Sequence, residues 1–135
     1  MGAWGVGTFD NDTACDWAYG LEGADDLALV RGTLNRVLAV GGDYLDSDAA
    51  CEGLAACEVI ARLKGKWGVR NPYTETVDKW VKGHASLPYD GLVPLATAVI
   101  DRVLTKPSEL LELWEEGDAT EWKRAVQDLR ARVET

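Results

Sequence analysis

Apolar residues recur at helical spacing along nearly the whole chain. Nowhere do four to eight residues alternate as a half-buried strand would. The pattern predicts an all-α protein: a compact single-domain bundle of about six or seven helices over residues 1–135, with a docked, glycine-rich N-terminal arm. Asp10 or Asn11 caps a first helix reaching about Leu21, with Ala14, Trp17, Ala18 and Leu21 as its stripe. Asp25 and Asp26 open a second helix that carries Leu27, Val30, Leu34, Val37 and Leu38 and closes at Gly41-Gly42. The third, from Ser47 or Asp48 to Leu63, is the most apolar; Ala49, Ala50, Ala55 and Ala56 allow neighbours to come close, which predicts a central position.

Asn71 or Thr74 starts a fourth helix with Tyr73, Val77, Trp80 and Val81 on one face. Asp90 caps a fifth, where Pro94 is tolerated only in the first turn. Ser108 caps a short sixth helix bearing Leu110, Leu111 and Trp114, and Asp118 with Glu121 forms a capping box for the last, with Trp122, Ala125, Val126, Leu129 and Val133 as its stripe. Ahead of all this stand Gly2, Trp4, Gly5, Gly7 and Phe9. Disordered termini are polar, so aromatics among glycines predict an arm packed on the body. Phe9, just before the first cap, is placed to act as a hydrophobic staple.

A chain of 135 residues buries roughly two-thirds of its unfolded surface, enough for a core without metals or disulfides. Six tryptophans against one phenylalanine predict indoles at helix contacts, each needing an acceptor for its N–H. The net charge of −9 repels phosphate backbones and anionic membranes, which argues against nucleic acid and membrane and favours a basic protein partner. No apolar run approaches the length of a membrane span, and no leader segment or myristoylation pattern is legible, Val6 standing where the latter needs Ser or Thr. Cys15, Cys51 and Cys57 are odd in number. On one helix Cys51 and Cys57 point about 120° apart, too far to bridge. Without a CxxC pair, and with a single His, no zinc site is expected; reduced thiols place the protein in the cytoplasm.

The candidate chemistry is sparse. Gly5-x-Gly7 lacks the third glycine, the preceding strand and the Gly-Lys-Ser/Thr ending of a phosphate loop. Asp10, Asn11, Asp12 and Asp16 form an acidic cluster in which Asp12 and Asp16 share a helix face, a spacing that suits a hard divalent cation as well as plain capping and dipole compensation. Asp43, Asp46, Asp48 and Glu52 form a similar cluster, read as structural. Glu58 lies in an apolar helix. Buried, it is a carboxyl for acid–base work; otherwise it pairs with Arg62 four residues on or accepts from a tryptophan N–H. His84 has no nucleophile or acid arranged beside it except Ser86. Lys64, Lys66, Trp67 and Arg70 set a tryptophan in a basic loop, the residue types that anchor interfaces, unless Trp67 folds back onto the core.

The opening Gly-Ala-Trp-Gly-Val-Gly-Thr-Phe-Asp-Asn-Asp, with Ala14, Asp16 and Trp17, resembles the start of the bacterial family called domain of unknown function 4259. The segment Ala55–Ala61 resembles that family's Ala-rich central helix, and Ser108–Trp114 with Trp122 behind it resembles its Ser-Glu-Leu-x-Glu-Leu-Trp segment. The resemblance implies a small bacterial cytosolic protein of uncharacterised activity and brings no catalytic residues. Its recurring positions would be Gly5, Phe9, Asn11, Asp12, Trp17, Glu58 and Trp114.

The reading is therefore a non-catalytic protein-binding module of immunity or inhibitor type, without cofactor or metal. The alternative is a carboxylate-based metal-dependent enzyme, which requires Asp10, Asp12, Asp16 and Glu58 to converge.

Overall fold

Residues 3–135, described by a computed structural model, form seven α-helices and, among the described residues, no strand. Gly2, grouped above with the arm's glycines, lies outside them. The helices are α1 (Asp12–Tyr19), α2 (Ala28–Leu38), α3 (Ser47–Leu63), α4 (Glu75–Gly83), α5 (Val93–Val103), α6 (Glu109–Glu115) and α7 (Thr120–Glu134), with single 3₁₀ turns at Pro72–Thr74 and Asp90–Leu92 leading into α4 and α5.

The bundle is built around α3, which touches each of the other six helices. From Gly53 to Leu63 every one of its residues is buried. Small side chains make this possible. A Cβ on Gly53 would lie 2.8 Å from Val37 Cγ2 and 3.1 Å from Val99 Cγ1, so glycine sets how closely α2 and α5 approach. Around this axis Leu34, Val37, Ile60, Val99, Ile100 and Leu129 are fully or almost fully buried, each such side chain contributing roughly 1.5–3 kcal/mol on transfer from water.

Helix starts follow the predicted residues in part. Asn11 caps α1 by accepting from the Ala14 N–H at 2.8 Å, and Asp46 caps α3 through Ala49 N–H at 2.8 Å. The second helix starts later than predicted, at Ala28, with Asp26 accepting from the Ala28 N–H at 2.9 Å. Three expected caps are corrected. Asp90 lies inside the 3₁₀ turn ahead of α5 and makes no cap bond. Ser108 makes no cap bond; its buried hydroxyl instead donates to the Val103 carbonyl at 2.7 Å, tying α6 to the end of α5. Asp118 lies one residue too early for a capping box, since α7 begins at Thr120, and it accepts from the Thr120 N–H in a local turn.

The tryptophans divide. Trp17 donates to Thr33 Oγ1 at 2.8 Å and Trp80 to the Ala24 carbonyl at 3.0 Å, both buried at helix contacts as predicted. Trp4 departs from that expectation. It is 47% exposed and leans on Tyr73, ring centroids 5.0 Å apart.

Candidate functional site

The N-terminal arm lies across α3, folded back on itself by Asp10. Asp10 Oδ2 accepts from the Gly7 N–H at 2.9 Å, and the Trp4 N–H reaches the Asp10 carbonyl at 2.9 Å. The glycines are required by this closeness: a Cβ at Gly5 would stand 2.4 Å from Asp10 Oδ2 and one at Gly7 2.9 Å. Phe9, 2% exposed, anchors the arm in the core, so the docking expected from the sequence is what the structure has.

Beneath the arm, the C-terminal half of α3 holds a buried chain of charges. Glu58 takes Arg62 Nε at 3.1 Å and both terminal nitrogens of Arg132, at 3.1 and 2.7 Å. Arg62 continues to Asp78 Oδ1 at 2.6 Å and to the Val69 carbonyl at 2.8 Å. Thr74 donates its hydroxyl to Asp78 Oδ2 at 2.7 Å, and Arg132 Nε reaches Asp128 at 2.9 Å. Thr8 of the arm sits over Glu58 at 3.4 Å. Among the described residues no buried side-chain nitrogen or oxygen lacks a partner, which is the condition under which buried charges are tolerable. The Arg132 guanidinium is laid flat against the Gly68 backbone, 2.8 Å from where a Cβ would be.

The loop Lys64–Arg70 covers this network. Trp67 is half-buried, with Arg62 Cζ 5.7 Å and Arg70 Cζ 4.8 Å from its ring centre, so it does fold back onto the body. Lys64 Nζ donates to the Val133 carbonyl at 2.7 Å, and the Lys66 carbonyl accepts from Arg132 at 3.2 Å. Val69 and the outer part of Arg70 remain exposed.

The opposite end of α3 is different in kind. Where α1 and α3 begin side by side, a cleft of ≈ 230 Å³ opens, walled by arm residues Gly5, Gly7 and Thr8, by Asp12 and Asp48, and by Cys51, Leu54, Trp114 and Trp122. Trp114 and Trp122 stack nearly parallel, 8° between planes and 5.8 Å between centres. Thr13 ties the two helix starts by donating to Asp48 Oδ1 at 3.1 Å. Among the described residues, Asp10, Asp12, Asp16, Asp46 and Asp48 take part in no ion pair. Burial pushes the Cys51 thiol up to about 12, with Asp48, Glu52 and Asp46 adding to the rise; burial also raises Cys15, helped by Asp12, Asp16 and Asp10.

With this geometry, comparison with known proteins is informative about lineage. The model of the family described as Domain of unknown function (DUF4259) matches residues 2–125. The chain belongs to that family. No curated protein and no solved structure matches it. The arm, α3 and α6, whose sequences carry the resemblance, border these two sites in this DUF4259 member.

The sequence-selected residues therefore do not form one centre. Asp10 and Glu58 line a common cleft of ≈ 210 Å³ beneath the arm, together with Arg62 and Arg132. Asp12 belongs to the other cleft, Asn11 is spent on capping, and Asp16 is exposed. The convergence that the metal-dependent alternative needs is absent: among the described residues no three His, Cys, Asp or Glu side chains meet in a way that could hold a metal ion. Glu58 is neither a surface pair nor bonded to an indole; it is bound by two guanidinium groups. Asp78 and Arg132 belong to the network without being among the residues the sequence points to. Asp78 had a signal, since Thr74, Val77, Asp78 and Val81 make a buried row at helical spacing with an acid in it. Arg132, at the margin of the α7 stripe, had none.

Proposed function

We propose that this DUF4259 member is a non-catalytic protein-binding module, of immunity or inhibitor type, that receives a basic partner at the acidic end where α1 and α3 start. The observation that carries this reading is the contrast between matched and unmatched acids. Glu58 and Asp78 each have guanidinium partners, whereas Asp12, Asp16, Asp46 and Asp48 have none and stand at the surface or on a cleft rim. Unmatched surface acids speed and orient the approach of a basic partner, and the effect falls with salt. Both oxygens of the Glu58 carboxylate are engaged by arginine side chains, which weighs against acid–base work there. The bacterial, cytoplasmic setting implied by the resemblance completes the proposal.

The test is capture of a stoichiometric partner from native lysate at low salt, by wild type and by a triple Asp12→Asn, Asp16→Asn, Asp48→Asn variant. A partner of high pI held by wild type and lost by the variant is expected. Recovery of no partner, or equal recovery by both, overturns the reading.

A further inference from the structure

The cleft at the start of α1 and α3 has a recognisable chemistry. No Lys, Arg or His lines it, while Asp12 and Asp48 stand on its rim. The helix starts do not demand these acids as caps: the first-turn N–H groups of Ala14, Ala49 and Ser47 are already taken by Asn11, Asp46 and Glu109. Half-buried Trp114, stacked on Trp122, forms part of its wall.

Trp122 supplies an independent pointer. It is 3% exposed, yet its indole N–H has no hydrogen-bond partner among the described residues, unlike those of Trp17 and Trp80. Since no fully buried donor is left unpaired, this N–H must reach open space, and Trp122 lines the cleft. Clefts that hold entire small-molecule ligands run about 300–1,000 Å³. At ≈ 230 Å³ this one has room for a side chain.

We propose that the cleft receives one arginine side chain of the basic partner, its guanidinium flat on Trp114 and facing Asp12 and Asp48, with a main-chain carbonyl beside it accepting from Trp122 Nε1. Arginine is favoured over lysine because a planar, weakly hydrated cation stacks on an indole face while still donating sideways to carboxylates. The negative field is already felt by the Cys51 thiol in the same wall. This inference deepens the proposed function and rests on it for the source of the arginine, but the cleft is testable alone.

The probe is arginine blocked at both ends, Nα-acetyl-arginine amide, titrated into the full-length protein while the tryptophan indole N–H signals are followed by NMR. Equally blocked citrulline, the same shape without charge, is the control. Saturable shifts at Trp114 and Trp122 with arginine alone are expected, leaving Trp17 and Trp80 still. Asp48→Asn, which keeps the acceptor for Thr13, should weaken the probe about two- to fivefold, as loss of one exposed charge pair does. Trp114→Leu should abolish binding. Equal shifts with citrulline, no shift, or unchanged affinity in Asp48→Asn overturns the cleft assignment. Should both variants still hold the captured partner, the cleft is wrong and the acidic-face reading stands. Should arginine bind the cleft while no partner is captured, the reverse holds.

Discussion

Along one helix, α3, the same residue type meets two fates. Near its end Glu58 lies buried among Arg62 and Arg132, with Asp78 and Asp128 completing the chain of pairs. At its start Asp46 and Asp48, with Asp12 across the cleft, face water and no cation. The first arrangement is forced by folding, because an unmatched charge cannot be buried; it therefore says little about what the protein binds. In the second, Asp46 serves the fold as the cap of α3, while Asp12 and Asp48 are not required as caps. Acids that the fold does not need to match are those free to meet something else.

The contrast is sharpest at Glu58. Glu58→Gln leaves two guanidinium groups facing each other in a buried site, and a loss of about 3–5 kcal/mol is expected in urea unfolding. Glu58→Leu combined with Arg132→Met should recover part of it, because the Arg62–Asp78 pair survives and the buried charge is removed in balance. A Glu58→Gln protein as stable as wild type would mean the network is loosely held and the comparison fails.

Next comes Gly68→Ala. The new Cβ would fall 2.8 Å from three atoms of the Arg132 guanidinium, which is pinned by Glu58, Asp128 and the Lys66 carbonyl and cannot yield without losing those bonds. A cost of about 1–3 kcal/mol is expected. In an Arg132→Met background the same change should be close to neutral, and that difference measures how firmly Arg132 is held.

How far these two ends were legible in the sequence follows from their range. The helices, the central place of α3 and the docked arm came from period and glycine placement, which are local. Asn11 as a cap and the Glu58–Arg62 spacing were also local. The partner that decides what Glu58 does is Arg132, 74 residues away on α7, and the Asp78 that holds Arg62 is 16 residues from it on α4; no spacing rule brings them together. The cleft is likewise made by α1, α3, α6 and α7 meeting, so Asp12 was visible as an acid while Trp114 and Trp122 read only as core. Asp118 failed as a cap through a single residue of offset, and Ser108, at the cap position itself, failed because its hydroxyl is taken by the Val103 carbonyl five residues back.

At the acidic end the expected effects on stability are smaller and of another origin. Asp46→Ala removes a cap from α3 and should cost about 1 kcal/mol. Asp12→Asn and Asp48→Asn, together, should lie within about 0.5 kcal/mol of wild type, or stabilise slightly by relieving repulsion. Large destabilisation by that pair would show that the rim acids serve the fold after all.

The smallest effect is expected at Cys51, and it separates burial from charge. The folded thiol is pushed up to about 12 from an ordinary 9.0, burial first and Asp48, Glu52 and Asp46 after it. With the folded value above the unfolded one, the unfolded chain loses this proton first. The thiol's contribution to stability is therefore complete below about pH 9 and declines as pH rises toward 12. Iodoacetamide should modify Cys51 in the folded protein far more slowly than in the unfolded chain at pH 9, its rate climbing only as pH nears that upper limit. Asp48→Asn should lower the titration midpoint only slightly, because the leading cause is untouched. A large downward move in that variant would make the field of the rim acids the dominant influence in the wall, strengthening the case for a cation there while showing the thiol to be less enclosed than the packing of α3 implies.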